Sequence, residues 1–303
     1  MMFTAQAIPF AKYEGLGNDF IILDARWGAD ARRKAPAATP ELAIKMCDRH
    51  FGIGADGTLT VLDPDGHGAV ARMKIHNADG SIPQMCGNGI RCFAKYLYDT
   101  GSVREKSFNV DTDAGRLNCT VSLGGDGLVE SVRVAMGPAR FNRAVLPMLG
   151  AAGAAATADE SAVGFSIAGA GVTFDGAVGV SMGNPHLILW DPRDIAGATA
   201  IGPAFENHEW FPERTNVEFV RVTGPASAEV VVWERGCGIT LACGTGACGV
   251  AAAGVKTGRF PAGQEIAVTL PGGTLAIEVQ PDFAQVLMRG PARHVFDGAF
   301  FHA

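Results

Sequence analysis

The stretch 72–98 has a second, altered copy in the same chain, read against residues 233–252, and the match is closest around one turn. Laid together without a gap, Asn77 falls on Glu234, Cys86 on Cys243, Gly87 on Gly244, Asn88 on Thr245 and Gly89 on Gly246. A chain that writes Cys-Gly-x-Gly twice in this setting is expected to build two halves on one plan.

Each turn has the look of a helix entrance. Ile90, Phe93, Ala94 and Leu97 follow the first at helical spacing, and Ala247, Val250, Ala251 and Val255 follow the second. A thiol at such an entrance meets helix amides that have no intrahelical acceptor, together with the positive end of the helix dipole. Both lower its pKa and favour thiolate. The glycines let an anion approach the backbone closely, so the same turn can cradle a carboxylate.

At 303 residues the chain is long for one core, and the copy suggests halves of roughly 130 to 150 residues each. Residues 1–137 are expected to form the first domain and 138–289 the second, with the tail 290–303 returning to the first. A hydrophobic content of 48% against 18% charged residues describes a well-buried globular protein. The net charge of -6 gives no attraction to nucleic acid or to an anionic membrane, which leaves a small solute as the expected partner. No apolar run reaches membrane-spanning length and residues 1–10 do not read as a secretory leader, so the expected location is the cytoplasm. Seven cysteines, odd in number and dilute, are unlike a secreted disulfide framework.

Along the chain, residues 10–24 read as strand, glycine turn and strand, with Asn18 at the tip. A helix is expected from Thr39 or Pro40 to near His50, and strands at 58–62 and 69–76. The glycine-rich stretch 51–57 precedes a strand and no helix, so it is not a dinucleotide fingerprint. Strands at 107–111, 115–122 and 128–136 complete the first half. Residues 149–156, rich in Ala and Gly, read as a loop. Strands resume at 165–167, 172–174, 177–182 and 187–190, a short helix includes 204–207, and further strands follow at 228–234, 265–270, 274–279 and 284–289. Gly183-Asn184-Pro185-His186 takes the place in the second half that Gly17-Asn18-Asp19-Phe20 has in the first. The expected fold class is α+β: two pseudo-symmetric domains, each a many-stranded, mostly antiparallel sheet wrapped around a central helix.

Two thiols from equivalent turns of two such halves are expected to look at each other across a cleft, one on each side of a bound carbon. Inverting a stereocentre by proton transfer needs a base on one face and an acid on the other. A carbanion beside a carboxylate is reachable without a Schiff-base cofactor if helix-entrance amides neutralise the growing charge in a site closed to water. His186 and Glu234 are the titratable groups expected to set the thiol and thiolate states.

At this point the residues resemble a known family. Gly15-Leu16-Gly17-Asn18-Asp19-Phe20, Asn77-Ala78-Asp79-Gly80-Ser81, Met85-Cys86-Gly87-Asn88-Gly89, Met182-Gly183-Asn184-Pro185-His186, Phe211-Pro212-Glu213-Arg214-Thr215-Asn216-Val217, Glu234-Arg235-Gly236 and Ala242-Cys243-Gly244-Thr245-Gly246 are, in this order, similar to the diaminopimelate epimerase family. The resemblance implies an enzyme independent of pyridoxal phosphate, with no cofactor and no metal expected, interconverting LL- and meso-diaminopimelate in lysine and peptidoglycan precursor synthesis. It also implies a homodimer. Carried over by motif, Cys86 and Cys243 are the catalytic pair, with His186 and Glu234 as their tuning partners. Asn18, Asn77, Asn184, Asn216, Glu234 and Arg235 match the residues that hold the distal ammonium and carboxylate. Gly87, Asn88, Gly244 and Thr245 match the cradle of the reacting carboxylate. A guanidinium at 235 suits a carboxylate because it can donate two parallel hydrogen bonds. The chain departs from the pattern at Ile82 and Ile239, where many relatives carry an acidic residue, and at Gly57, where some carry Gln.

Two other readings stay in view. A related cofactor-free racemase of another amino acid would keep both thiols and change the distal contacts. A dithiol redox or metal-binding protein is disfavoured, since no Cys-x-x-Cys occurs and the histidines are not at ligand spacing.

Overall fold

The computed structural model describes residues 6–150, 153–192 and 197–302. The reading of residues 1–5 as lacking a leader, that of 151–152 as loop and the last residue of the tail therefore lie outside the described residues. The chain divides into two compact units, one of residues 1–134 with 290–303 and the other of residues 135–289.

The first unit holds β1 (Gln6–Gly15), β2 (Asn18–Asp24), α1 (Pro40–Cys47), β3 (Gly57–Leu62), β4 (Ala71–Asn77), α2 (Gly87–Asp99), β5 (Ser107–Thr112), β6 (Gly115–Leu123) and β7 (Val129–Ala135). It is joined by β17 (Arg293–His302), which pairs antiparallel with β1. From that edge the strands run β17-β1-β2-β3-β4-β5-β6-β7, antiparallel except at β2/β3 and β4/β5.

The second unit holds β8 (Val163–Gly169), β9 (Val172–Ser181), β10 (Pro185–Trp190), α3 (Ala198–Glu206), β11 (Asn216–Gly224), β12 (Ser227–Glu234), β13 (Gly238–Ile239), α4 (Gly244–Lys256), β14 (Glu265–Leu270), β15 (Gly273–Val279) and β16 (Val286–Pro291). Its strands run β8-β9-β10-β11-β12-β14-β15-β16, antiparallel except at β10/β11 and β12/β14, with β13 a short antiparallel addition to β12. The order of parallel and antiparallel pairings is the same in the two units, strand for strand. The fold class is thus α+β in two similar domains.

One helix fills each unit. In α2 the side chains of Ile90, Phe93, Ala94 and Leu97 are fully buried, and the helix packs on β1, β2, β3, β6 and β17. Burying such aliphatic and aromatic side chains is worth about 1.5–3 kcal/mol each before chain entropy is counted. Arg91 is buried too, because its guanidinium donates to the carbonyls of Gly87 and Pro291 at 3.0 and 3.1 Å. The corresponding helix α4 uses small residues, Ala247, Ala251 and Ala252 among them, and packs on β9, β10, β11, β14 and β15. A Cβ at Gly254 would lie 2.0 Å from the Phe260 ring, so this helix approaches its neighbour as only glycine permits.

The structure redraws some elements of the second half. Residues 172–174 and 177–182 belong to one strand, β9, whose interruption in the sequence is Gly176 at φ +70°. The short helix around 204–207 is the end of α3, which starts at Ala198 and continues through Pro203. Among the described residues no helix is long and apolar enough to cross a membrane.

Candidate active site

In the first unit Cys86 is the N-cap of α2. Its backbone is extended (φ -137°, ψ 119°), and Sγ accepts a hydrogen bond from the Gly89 amide at 3.4 Å. A Cβ at Gly89 would stand 3.2 Å from a Leu59 methyl. Asn18, at the start of β2, reaches the turn: its Oδ1 lies 3.8 Å from the Cys86 thiol and accepts from the Asn88 side chain at 3.2 Å. Asn18 is itself fixed by donating to Asp56 Oδ2 at 2.6 Å. Arg49 bridges Asp19 and Asp56 at 2.7 and 2.8 Å. Burial alone would raise Asp19, but hydrogen bonds from Arg49 and Lys12 outweigh it and hold the carboxyl near 2. The brace under Asn18 is therefore charged at neutral pH. Asn77 ends β4 and donates to Ser81 Oγ at 2.9 Å in the adjoining turn. At the start of β3, a Cβ on Gly57 would stand 2.6 Å from the His76 carbonyl oxygen, so this backbone admits no glutamine there.

The second unit repeats the turn. Cys243 caps α4 with φ -118° and ψ 108°, and its sulfur accepts from the Gly246 amide at 3.3 Å and lies 3.5 Å from Thr245 Oγ1. Glu234, the last residue of β12 and the counterpart of Asn77, hydrogen-bonds the Cys243 thiol and accepts from Thr240. The carboxylate, not the imidazole, is thus the direct partner of this sulfur. His186 on β10 is fully buried: Nδ1 is 2.6 Å from Glu218 Oε1 and Nε2 is 3.0 Å from Asn184 Oδ1. Asn184 in turn donates to Thr245 Oγ1 at 3.4 Å. Asn216 opens β11, donates to the Pro185 carbonyl at 2.8 Å and accepts from the Arg235 amide at 2.9 Å. The Arg235 guanidinium rests on the Glu213 carbonyl at 3.2 Å.

The electrostatics correct one expectation. A helix entrance should lower a thiol's pKa, yet Cys243, 5% exposed, is pushed well above its ordinary value. Burial is the largest cause, followed by the negative charges of Glu234 and Glu218, and the bonds from Thr245 and Gly246 recover only part. Glu234 and Glu218 are themselves raised, first by burial. Burial and the neighbouring carboxylates therefore favour the protonated thiol of Cys243.

The structure brings Asn18, which the sequence put at a separate hairpin tip, to the turn of Cys86 and Asn88. It links His186, Asn184, Thr245 and Cys243 through hydrogen-bond-distance contacts and joins Asn216 to the Arg235 amide. The sequence reading missed Glu218 and Asp56. Glu218 had a signal: it is the one charged residue in Val217-Glu218-Phe219-Val220, an apolar strand segment whose side chains are all buried. Asp56 was hidden in a glycine-rich turn.

Comparison with known proteins gives the family of the chain. The family model described as diaminopimelate epimerase matches residues 10–142 and 178–295. A diaminopimelate epimerase from Synechocystis is 45% identical over 293 residues, spanning 96% of this chain and 98% of that one. The chloroplastic diaminopimelate epimerase of Oryza sativa subsp. japonica is 42% identical over 307 residues, spanning 99% of this chain and 82% of the relative. Among solved structures, a probable proline racemase from Agrobacterium radiobacter with bound carbonate superposes with a TM-score of 0.67 at 15% identity, over 96% of this chain and 92% of that one, a likeness of fold. With its model matched through both helix entrances, this chain belongs to the diaminopimelate epimerase family.

Proposed function

We propose that the protein is a two-base epimerase that interconverts LL- and meso-diaminopimelate without a prosthetic group, in lysine and peptidoglycan precursor synthesis. The observation that carries this is the doubled N-cap: each unit presents a cysteine whose sulfur takes the amide three residues on, at Gly89 and at Gly246. One thiolate removes the alpha proton, and the thiol of the other cysteine gives its own to the opposite face. The C-H bond breaks toward one sulfur as a new C-H bond forms from the other, and the two cysteines exchange protonation states in each turnover. Cys243, whose burial favours the thiol, is the acid in the direction in which Cys86 takes the proton, and the two roles reverse in the other direction. Negative charge growing on the substrate carboxylate is met by the amides of Gly87, Asn88, Gly244 and Thr245, at helix entrances that offer those amides no intrahelical acceptor. Asn18, Asn77, Asn184, Asn216, Glu234 and Arg235 hold the distal ammonium and carboxylate. On the same reading the enzyme is a cytoplasmic homodimer, which a mass measurement of the purified chain in solution checks for its second part.

Incubation with LL-diaminopimelate in deuterated water, with no added cofactor, is expected to label one alpha carbon and to yield the meso isomer. Replacement of Cys86 or Cys243 by Ala is expected to abolish turnover, since a general acid or base contributes about 10²–10⁴-fold and inversion uses both. Preferential labelling of another amino acid would move the substrate, and full activity in either variant would overturn the mechanism.

A further inference from the structure

Glu218 is fully buried on β11, and so is the imidazole it touches on β10. The contact is short, 2.6 Å from Oε1 to His186 Nδ1. The other ring nitrogen lies 3.0 Å from an amide oxygen, Asn184 Oδ1, while the Asn184 amide nitrogen lies 3.4 Å from Thr245 Oγ1. Both nitrogens of one ring therefore point at oxygen acceptors. A neutral imidazole has one N-H and one lone pair, and would set that lone pair against an oxygen unless the buried carboxyl kept its own proton, the alternative the ring-nitrogen shifts distinguish.

We propose that Glu218 is a positioning residue that keeps both ring nitrogens of His186 protonated, forming a buried, net-neutral pair that aligns the Asn184-Thr245 relay on Cys243. With Nε2-H donating to Asn184 Oδ1, the amide turns its Nδ2-H toward Thr245 Oγ1. The threonine oxygen is then occupied as an acceptor, and its own O-H is directed to the sulfur 3.5 Å away. A hydroxyl proton aimed at sulfur stabilises the thiolate whenever Cys243 has given up its proton. Without the carboxylate, one ring proton is lost, the amide has reason to turn over, and the hydroxyl turns from sulfur to amide oxygen.

The titratable groups bearing on the ring are Glu218 from β11 and Glu234 from β12, with Cys243 at the entrance of α4 bonded to Glu234. The turn is built tightly against the pair, for a Cβ at Gly246 would stand 2.7 Å from Glu218 Oε1. Buried partners of opposite charge at hydrogen-bond distance hold each other ionised, where either alone would be neutral. The catalytic consequence rests on the two-thiol reading above, while the protonation of the ring does not.

The experiment is nitrogen NMR of the full chain labelled with nitrogen-15 in histidine, His186 being assigned by the signals lost in His186→Gln. Both ring nitrogens of His186 are expected to keep the shifts of protonated nitrogens over roughly pH 6–9, a span that crosses ordinary imidazole titration. In Glu218→Gln one of them is expected to move to the unprotonated position. In the same variant kcat for diaminopimelate is expected to fall roughly 10- to 100-fold, the scale of losing one hydrogen bond to a charged group, with KM nearly unchanged and the alkaline limb of the pH profile displaced. An unprotonated ring nitrogen in the wild-type protein would overturn the proposal, as would a variant with an unaltered ring and pH profile. Should Glu218→Gln fail to fold, the wild-type spectrum decides alone. Should the protein not turn over diaminopimelate, the spectrum still decides, so loss of the proposed reaction is told apart from loss of this pair.

Discussion

Replacing Gly246 and Gly89 by Ala, one at a time, separates two turns that look alike in sequence. Both glycines lie in the first turn of a helix, where Ala gains up to about 1 kcal/mol of helix propensity. At position 89 the new methyl would meet Leu59 Cδ2 at 3.2 Å and Cys86 Cβ at 3.4 Å, and the leucine end can rotate aside. The gain and the crowding nearly cancel there. At position 246 the methyl would meet Glu218 Oε1 at 2.7 Å and Cys243 Sγ at 3.2 Å, and Glu218 is pinned to His186 at 2.6 Å. Overpacking costs about 1–3 kcal/mol, and breaking a buried pair outright about 3–5 kcal/mol. Set against the propensity gain, Gly246→Ala should lose on the order of 1–3 kcal/mol. For a protein of this size that lowers Tm by roughly 2–4 °C per kcal/mol. Thermal and urea unfolding of both variants give the stability, and initial rates with LL-diaminopimelate show whether kcat falls more at 246. A Gly246→Ala protein as stable as wild type, or a larger loss in Gly89→Ala, would refute the reasoning.

Three further outcomes are expected. Burial pushes the thiols of Cys92 and Cys119 up to about 12, so they stay protonated in the folded chain where unfolded thiols ionise near about 8.5. That stability is fully present below the unfolded value and is lost as pH rises through the folded one. The urea midpoint should decline between about pH 9 and 12, less so in Cys119→Val, and a flat midpoint would contradict this. Asp19, held near 2, contributes stability above its unfolded value near about 3.9 that is lost as pH falls toward the folded one. Asp19→Asn should be less sensitive between about pH 5 and 2 in the same measurement, even if weaker at neutral pH. On the two-thiol reading, mild oxidation should inactivate the enzyme reversibly through a Cys86–Cys243 bridge, which peptide mapping locates; a bridge through the exposed Cys237 would count against it.

The parts legible from sequence were those written in a strong period. Apolar spacing after Cys86 and Cys243 revealed both central helices, because their buried faces had to be apolar whatever lay around them. Gly176 hid the continuity of β9, since a glycine with positive φ looks like the end of a strand when it is a bend within one. The first turns of α3 carry Ala, Thr and Gly ahead of an internal proline, a pattern too weak to announce a helix. In the site, motif residues were visible because they stand in turns, where side chains are few and distinctive. Glu218 was not, since a carboxylate inside a strand is ordinarily solvent-facing. Only the pairing of β10 with β11 shows that this one lies under an imidazole.

The eighth strand of each sheet arrives by a different route. In the second unit β8 immediately precedes its partner β9, so that pairing is available as soon as the hairpin leaves the ribosome. In the first unit β1 is partnered by β17, which is synthesised only after the intervening residues 135–289. At roughly 5–20 residues per second that interval is on the order of 10 to 30 seconds. During it β1 exposes a row of amides and carbonyls to any strand that comes near. The later-made half can therefore finish first, and the nascent chain's vulnerable moment falls on the half made earlier.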